Sequence, residues 1–301
     1  MNIGDECFAG SKVKNVTFEG EKIKIGNKCF KDCQSITSFI IPSSINVEIN
    51  NSSFEECRNI EEVRIEASAK IELQNRCYYN NYKLKNIQLS SNEINIGQYT
   101  FFNCQSITAL HLQEMDRLII KEKAFENCIS LSTLTISAKL EIQAGSNCFF
   151  NATKLKSVYL NSKKVIIDSS CFADCSSMLS FTISSAEKAI LRQQTFENCK
   201  NLESVDVTAR SKFKMFGLCF NQAYKIKRIT INSKKIMIGC RCFDNCYSLS
   251  CVNCPIAVDI NFFENSFNGI HYNNCLKHPP ETKLHSFKSS SSCNDNECII
   301  V

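Results

Sequence analysis

An aromatic residue returns every 22 to 24 positions along this 301-residue chain, at Phe8, Phe30, Phe54, Tyr78, Phe101, Phe125, Phe149, Phe172, Phe196, Phe220, Phe243 and Phe267. A period of this length constrains the fold more than any other feature of the sequence. A unit of two dozen residues cannot bury an apolar face by itself, so such units must stack and share one continuous core.

With the aromatic as position 0, apolar residues recur at −7, −5, +6, +9 and +11, and a small residue or cysteine sits at +3. The rung around Phe125 carries all of them, as Leu118, Ile120, Leu131, Leu134, Ile136 and Cys128. The spacing 0, +3, +6 reads as one face of a short helical turn, and the +9/+11 and −7/−5 pairs have the period of two of a strand. The expected fold is therefore an α/β repeat solenoid, a curved stack of about 12 rungs, each a strand plus a short helical turn. Neighbouring strands would lie about 4.8 Å apart. Residues 1–284 are expected to form the stack with its closing segment, and 285–301 a flexible Ser-rich tail.

A longer period lies on top. Phe30, Phe101, Phe172 and Phe243 are spaced by 71 residues, as are Phe54, Phe125, Phe196 and Phe267, and also Tyr78, Phe149 and Phe220. The unit of duplication is thus a block of three rungs. The rung of Phe8 belongs to the third set and has lost one residue.

The run Leu131-x-x-Leu134-x-Ile136 looks like the leucine-rich-repeat strand pattern LxxLxL. The stretch Phe30 to Ile45, F-x-x-C-x-x-I-x-x-F-x-I-P-x-S-I, resembles the BspA-like class of that superfamily. The resemblance runs over about residues 3–270 and implies a curved solenoid used for adhesion or protein binding, without a shared enzymatic activity.

Fourteen of the twenty cysteines are repeat positions, seven at −1 and seven at +3. Two readings stand. Their alternatives at these sites are mainly small residues, so a thiol can serve as a compact apolar filler. A disulfide ladder through Cys33/Cys57, Cys104/Cys128 and Cys175/Cys199 is also geometrically open, since stacked Cα atoms fall in the permitted range. Cys251-x-x-Cys254 near Cys240 has zinc-like spacing, but strand alternation points Cys251 and Cys254 to opposite faces.

No phosphate loop, nucleophile elbow or metal-binding helix is present, and the four histidines are scattered, so no catalytic residue, cofactor or metal is expected. The net charge of +5 comes from 35 basic and 30 acidic residues spread along the chain, which disfavours nucleic acid as a partner. On each strand +8 and +10 face outward, and the larger or charged residues there, Glu62, Arg64, His111, Tyr159, Asp206 and Arg228, are the expected contacts for a protein partner.

The chain ends at Cys298-Ile299-Ile300-Val301, a C-a-a-X sequence in which Cys298 is the expected prenylation site. One lipid anchors weakly, so Cys293 is expected as a second, palmitoylated site. With no basic-then-apolar leader and no apolar run long enough to span a bilayer, these features predict a non-enzymatic binding scaffold held by its lipid on the cytoplasmic side of the plasma membrane. The alternative is a surface-exposed adhesin that binds a host or extracellular-matrix protein.

Overall fold

The computed structural model describes residues 1–268, 270 and 275–288. Each rung has three parts: a tight turn that carries the aromatic, a strand of four or five residues, and a second strand that leads into the next aromatic. The strands stack in two parallel columns. One runs through Ser38–Ile41, Glu62–Glu66 and Asn86–Ser90, the other through Lys22–Ile25, Asn46–Ile49, Lys70–Leu73 and Glu93–Ile96. In four rungs the two parts fuse into a 12-residue strand, at Ala109–Ile120, Thr133–Ala144, Ser180–Leu191 and Ser204–Met215. Pairing is parallel throughout and every partner lies one rung away, as in Val158↔Phe181 and Phe181↔Val205.

The alternation anticipated from the sequence sets these strands. In Ser204–Met215, Val205, Val207, Ala209, Phe213 and Met215 are buried, and the residues between them are half-buried or exposed. The inward side chains join one unbroken core that runs from Val16 to Leu276.

The expected helical turn is not there. Among the described residues no helix occurs between Met1 and Phe263, and a short 3₁₀ turn follows at Glu264–Phe267. The fold is an all-β parallel solenoid rather than an α/β stack. The reason is a pair of left-handed residues that brackets each aromatic: Lys28 and Asp32 around Phe30, Lys123 and Asn127 around Phe125, Gln194 and Asn198 around Phe196. A left-handed residue every fourth position prevents a right-handed helix from propagating. It also redirects the backbone. The N–H groups of Lys123, Phe125 and Asn127 donate to the carbonyls of Ser146, Cys148 and Phe150 on the next rung, at 2.9, 2.8 and 3.0 Å. The intervening residues close successive i to i+3 turns, Cys128 N–H to Phe125 O at 3.3 Å and Leu131 N–H to Cys128 O at 3.0 Å. Those turns place 0, +3 and +6 on one face, with the spacing a helix would give.

The aromatics form a column of stacked rings. From Phe8–Phe30 to Phe220–Phe243, successive rings are near-parallel with centroids 4.9 to 5.9 Å apart. Each buried ring contributes about 1.5–3 kcal/mol by burial alone. Phe8, at the start, is the exposed member of the column.

Tyr78 is out of keeping with its neighbours. It is fully buried, and its hydroxyl has no hydrogen-bond partner; Asn81, at +3 of the same rung, is also fully buried with both polar side-chain atoms unpartnered. Unpaired buried polar groups cost about 1–3 kcal/mol each. Tyr78→Phe and Asn81→Cys are therefore each expected to raise stability by about 1 kcal/mol or more, read as an increase in urea midpoint at unchanged slope. A lower midpoint for both would refute this account of the rung.

Candidate binding faces and the role of the thiols

The first strand column presents an outward surface in two parts, a four-stranded N-terminal sheet ending at Asn86–Ser90 and a longer sheet from Ala109 onward. Its +10 positions are in register from rung to rung: His111↔Thr135↔Tyr159↔Thr182↔Asp206↔Thr230↔Asn253. His111, Tyr159 and Asp206 thus share one row on alternate rungs, spaced by about 10 Å. Arg64 occupies the corresponding row of the N-terminal four-stranded sheet, between Ile40 and Gln88. Glu62 and Arg228 fall in the adjacent +8 row, paired with Asn86 and with Ser204 and Cys251.

The structure therefore sets the six residues along one face but does not gather them into one cluster. Between Thr133 and Asn232 that face is built largely from serine, threonine and asparagine. Tyr159, Asp206 and Arg228 stand out from it. Tyr159 is 42% exposed, with its hydroxyl accepting a hydrogen bond from Ser184 Oγ at 2.8 Å. Arg64 is held on the strand by Glu66, its Nε 2.8 Å from the carboxylate.

The repeat cysteines from Cys29 to Cys246 belong to the interior. Cys33, Cys57, Cys104, Cys128, Cys175 and Cys199 are free and buried, which removes the disulfide ladder. They do more than fill space. Each +3 thiol donates to the carbonyl of the aromatic one rung earlier: Cys33 to Phe8 at 2.9 Å, Cys57 to Phe30 at 2.9 Å, Cys128 to Phe101 at 3.3 Å, Cys199 to Phe172 at 3.1 Å and Cys246 to Phe220 at 3.1 Å. At −1 a small donor instead bonds within its own rung, to the carbonyl three residues earlier. Cys77 reaches Gln74 O at 2.9 Å, Ser53 reaches Asn50 O at 2.7 Å and Thr100 reaches Gly97 O at 2.8 Å. Cys254 is buried and Cys251 half-exposed. Of the remaining sequence expectations, Cys293 and Cys298 lie outside the described residues. Strand pairing continues to Lys283–Phe287, which lies beside Asp259–Phe263.

The BspA-type leucine-rich repeat region matches in six copies, over residues 1–119, 96–217 and 145–274. The chain belongs to that family. A leucine-rich repeat protein from Bacteroides ovatus is 20% identical over 95% of this chain and 69% of its own, with a TM-score of 0.65. A leucine rich cell surface protein from Faecalibacterium prausnitzii is 17% identical over 84% of this chain and 82% of its own, TM-score 0.32. The T. pallidum leucine-rich repeat protein is 16% identical over 79% of each chain, TM-score 0.36. No curated protein matches.

Membership makes this chain a non-catalytic scaffold for protein binding. It also corrects the expected location. The family match and the fold shared with the Bacteroides ovatus protein carry the scaffold but not the anchor, and the reading of a scaffold prenylated at Cys298 and held on the cytoplasmic side of the plasma membrane is set aside.

Burial raises the thiol pKa values, that of Cys29 to about 11 and that of Cys254 to about 12. Cys104, Cys128 and Cys175 are likewise pushed up, desolvation being the main cause. A folded-state pKa above the unfolded one contributes stability that is intact below about pH 8.5 and is lost as pH rises above it. Each such thiol should withdraw up to about 1.4 kcal/mol per pH unit. Thermal midpoints are therefore expected to fall steeply between pH 9 and 11, and less steeply for a variant with Cys104, Cys128 and Cys175 replaced by alanine; equal slopes would refute the linkage.

Proposed function

We propose that this protein is a surface-exposed adhesin-type scaffold that captures a host or extracellular-matrix protein on the outward face of its first strand column. The observation that carries this reading is the in-register row of His111, Tyr159 and Asp206 on a flat, small-residue background. Large side chains on a rigid sheet can contact a partner without first paying to be ordered. Tyrosine and arginine are the residue types that most often dominate such contacts. Arg64, Glu62 and Arg228 extend the same face. The resemblance to a leucine rich cell surface protein supports the location.

The test has two parts. Protease shaving of intact cells should remove the solenoid. Binding of the purified full chain to a panel of immobilised extracellular-matrix proteins should then be saturable. Tyr159→Ala and Arg228→Ala should each weaken it by about tenfold or more, with unchanged far-UV circular dichroism. A solenoid protected in intact cells would end the surface reading, and variants that bind like the parent would move the contact to another face.

A further inference from the structure

The second strand column carries a different chemistry, and it changes along the stack. At position −8 its outward residues are, in register, Lys70, Glu93, Arg117, Glu141, Lys164, Lys188, Lys212, Lys235 and Asp259. The N-terminal part of this face neutralises itself. Lys24 meets Glu48 at 2.9 Å, Lys70 meets Glu72, and Lys164 reaches back to Glu141 at 2.7 Å.

Between Glu141 and Asp259 the alternation stops. Lys188, Lys212 and Lys235 are exposed, stand directly beside one another on consecutive rungs, and form no ion pair among the described residues. Like charges placed directly opposite each other in a sheet are destabilising. Lys214 adds a fourth cation two positions along the same strand, half-buried, with its pKa lowered by desolvation and then by Lys212. Nothing in the fold requires this, since the same position carries acidic residues on other rungs. A surface that tolerates unneutralised charge in a straight line is suited to a ligand that supplies the opposite charge.

The rest of the face narrows the ligand. Beside the lysines, position −6 offers Ile166, Ile190 and Met237. They are half-buried or buried, flush with the sheet, so they can pack against a C–H surface but cannot insert into a bilayer. A shallow depression of about 240 Å³ lies between Lys212, Lys214, Lys235, Met237 and Asn261, and Asp259, the register partner of Lys235, closes it with one carboxylate against three lysines. The cations recur about every 4.8 Å along one line. Duplex DNA presents a charge about every 1.7 Å of its axis, and single strands call for stacking aromatics as well. Phe213, between Lys212 and Lys214, is buried in the core, and Phe216 beyond it has the Arg192 guanidinium 5.8 Å from its ring centroid.

We infer that the lysine row Lys188, Lys212 and Lys235, with Lys214, is a second binding face, separate from the protein-binding column, that takes a linear sulfated polysaccharide lying along the solenoid axis. Sulfates would pair with the ammonium groups, and the sugar C–H faces would rest on Ile190 and Met237.

The purified full chain is titrated by fluorescence anisotropy with a labelled heparin dodecasaccharide, its fully desulfated counterpart, a single-stranded DNA oligonucleotide, and vesicles of phosphatidylcholine with phosphatidylserine. The protein should bind the sulfated chain, weaken as salt is raised, and bind the other three at least about tenfold less tightly. The triple variant Lys188→Gln/Lys212→Gln/Lys235→Gln should lose about tenfold or more. A control with the same charge change on exposed corner lysines, Lys83→Gln/Lys154→Gln/Lys225→Gln, should stay within about twofold. Equal loss in both triple variants would show general charge attraction and overturn the site. Stronger binding to the oligonucleotide or the vesicles would overturn the choice of ligand. Because the row is on the other strand column, Tyr159→Ala should leave heparin binding unchanged, so failure here and failure of the adhesin reading are separable.

Discussion

The structure depends on one constraint, the spacing imposed when a backbone hydrogen bonds to a copy of itself one rung away. In the strands this is ordinary parallel pairing. In the turns it is achieved by alternating right- and left-handed residues so that the N–H groups at −2, 0 and +2 point along the stack rather than around a helix. Once every rung repeats at the inter-strand distance of about 4.8 Å, the aromatic rings have no choice but to stack face to face at about the same spacing. The +3 thiol has no carbonyl nearer than that of the preceding aromatic. The periodic residues answer to this geometry.

That constraint explains which parts of the fold were legible. The inward strand positions and the aromatic column could be read because burial selects apolar side chains, and burial repeats. The turn was misread because 0, +3, +6 is the signature both of a helical face and of consecutive i to i+3 turns. A signal that could have separated them was present at +2, where Asn80, Asn103, Asn127, Asn151, Asn198 and Asn245 stand with Asp32, Asp174 and Gly10, the residue types that tolerate a left-handed backbone. The partner position at −2 carried no such signal. Lys28, Tyr99, Leu218 and Arg241 adopt the same conformation there, held by the hydrogen bonds on either side.

The functional faces were less legible. Outward positions could be listed from alternation, but whether two of them are neighbours depends on rung register, and rungs of 22, 23 and 24 residues shift that register in ways a linear count does not show. His111, Tyr159 and Asp206 share a row. Glu62 and Arg228 sit in the row beside it, on separate parts of the stack. The lysine ladder was hidden for the same reason. Lys163-Lys164 and Lys234-Lys235 are visible as pairs in the sequence, but the row appears only when Lys188 and Lys212 are laid between them.

The block of three rungs has a consequence for how such a surface can change. Because 71 residues close an integral number of turns, copying or deleting one block leaves every remaining residue in the same strand column and moves it by about 14 Å along the stack. Length is thus a free variable, adjustable without redesigning the core, whereas the loss of a single residue, as in the rung of Phe8, must be absorbed locally or it would rotate everything beyond it out of line. A lineage built this way can measure its ligands in units of a block, lengthening a charged or polar stripe to match a longer partner while each joint between rungs stays as it was.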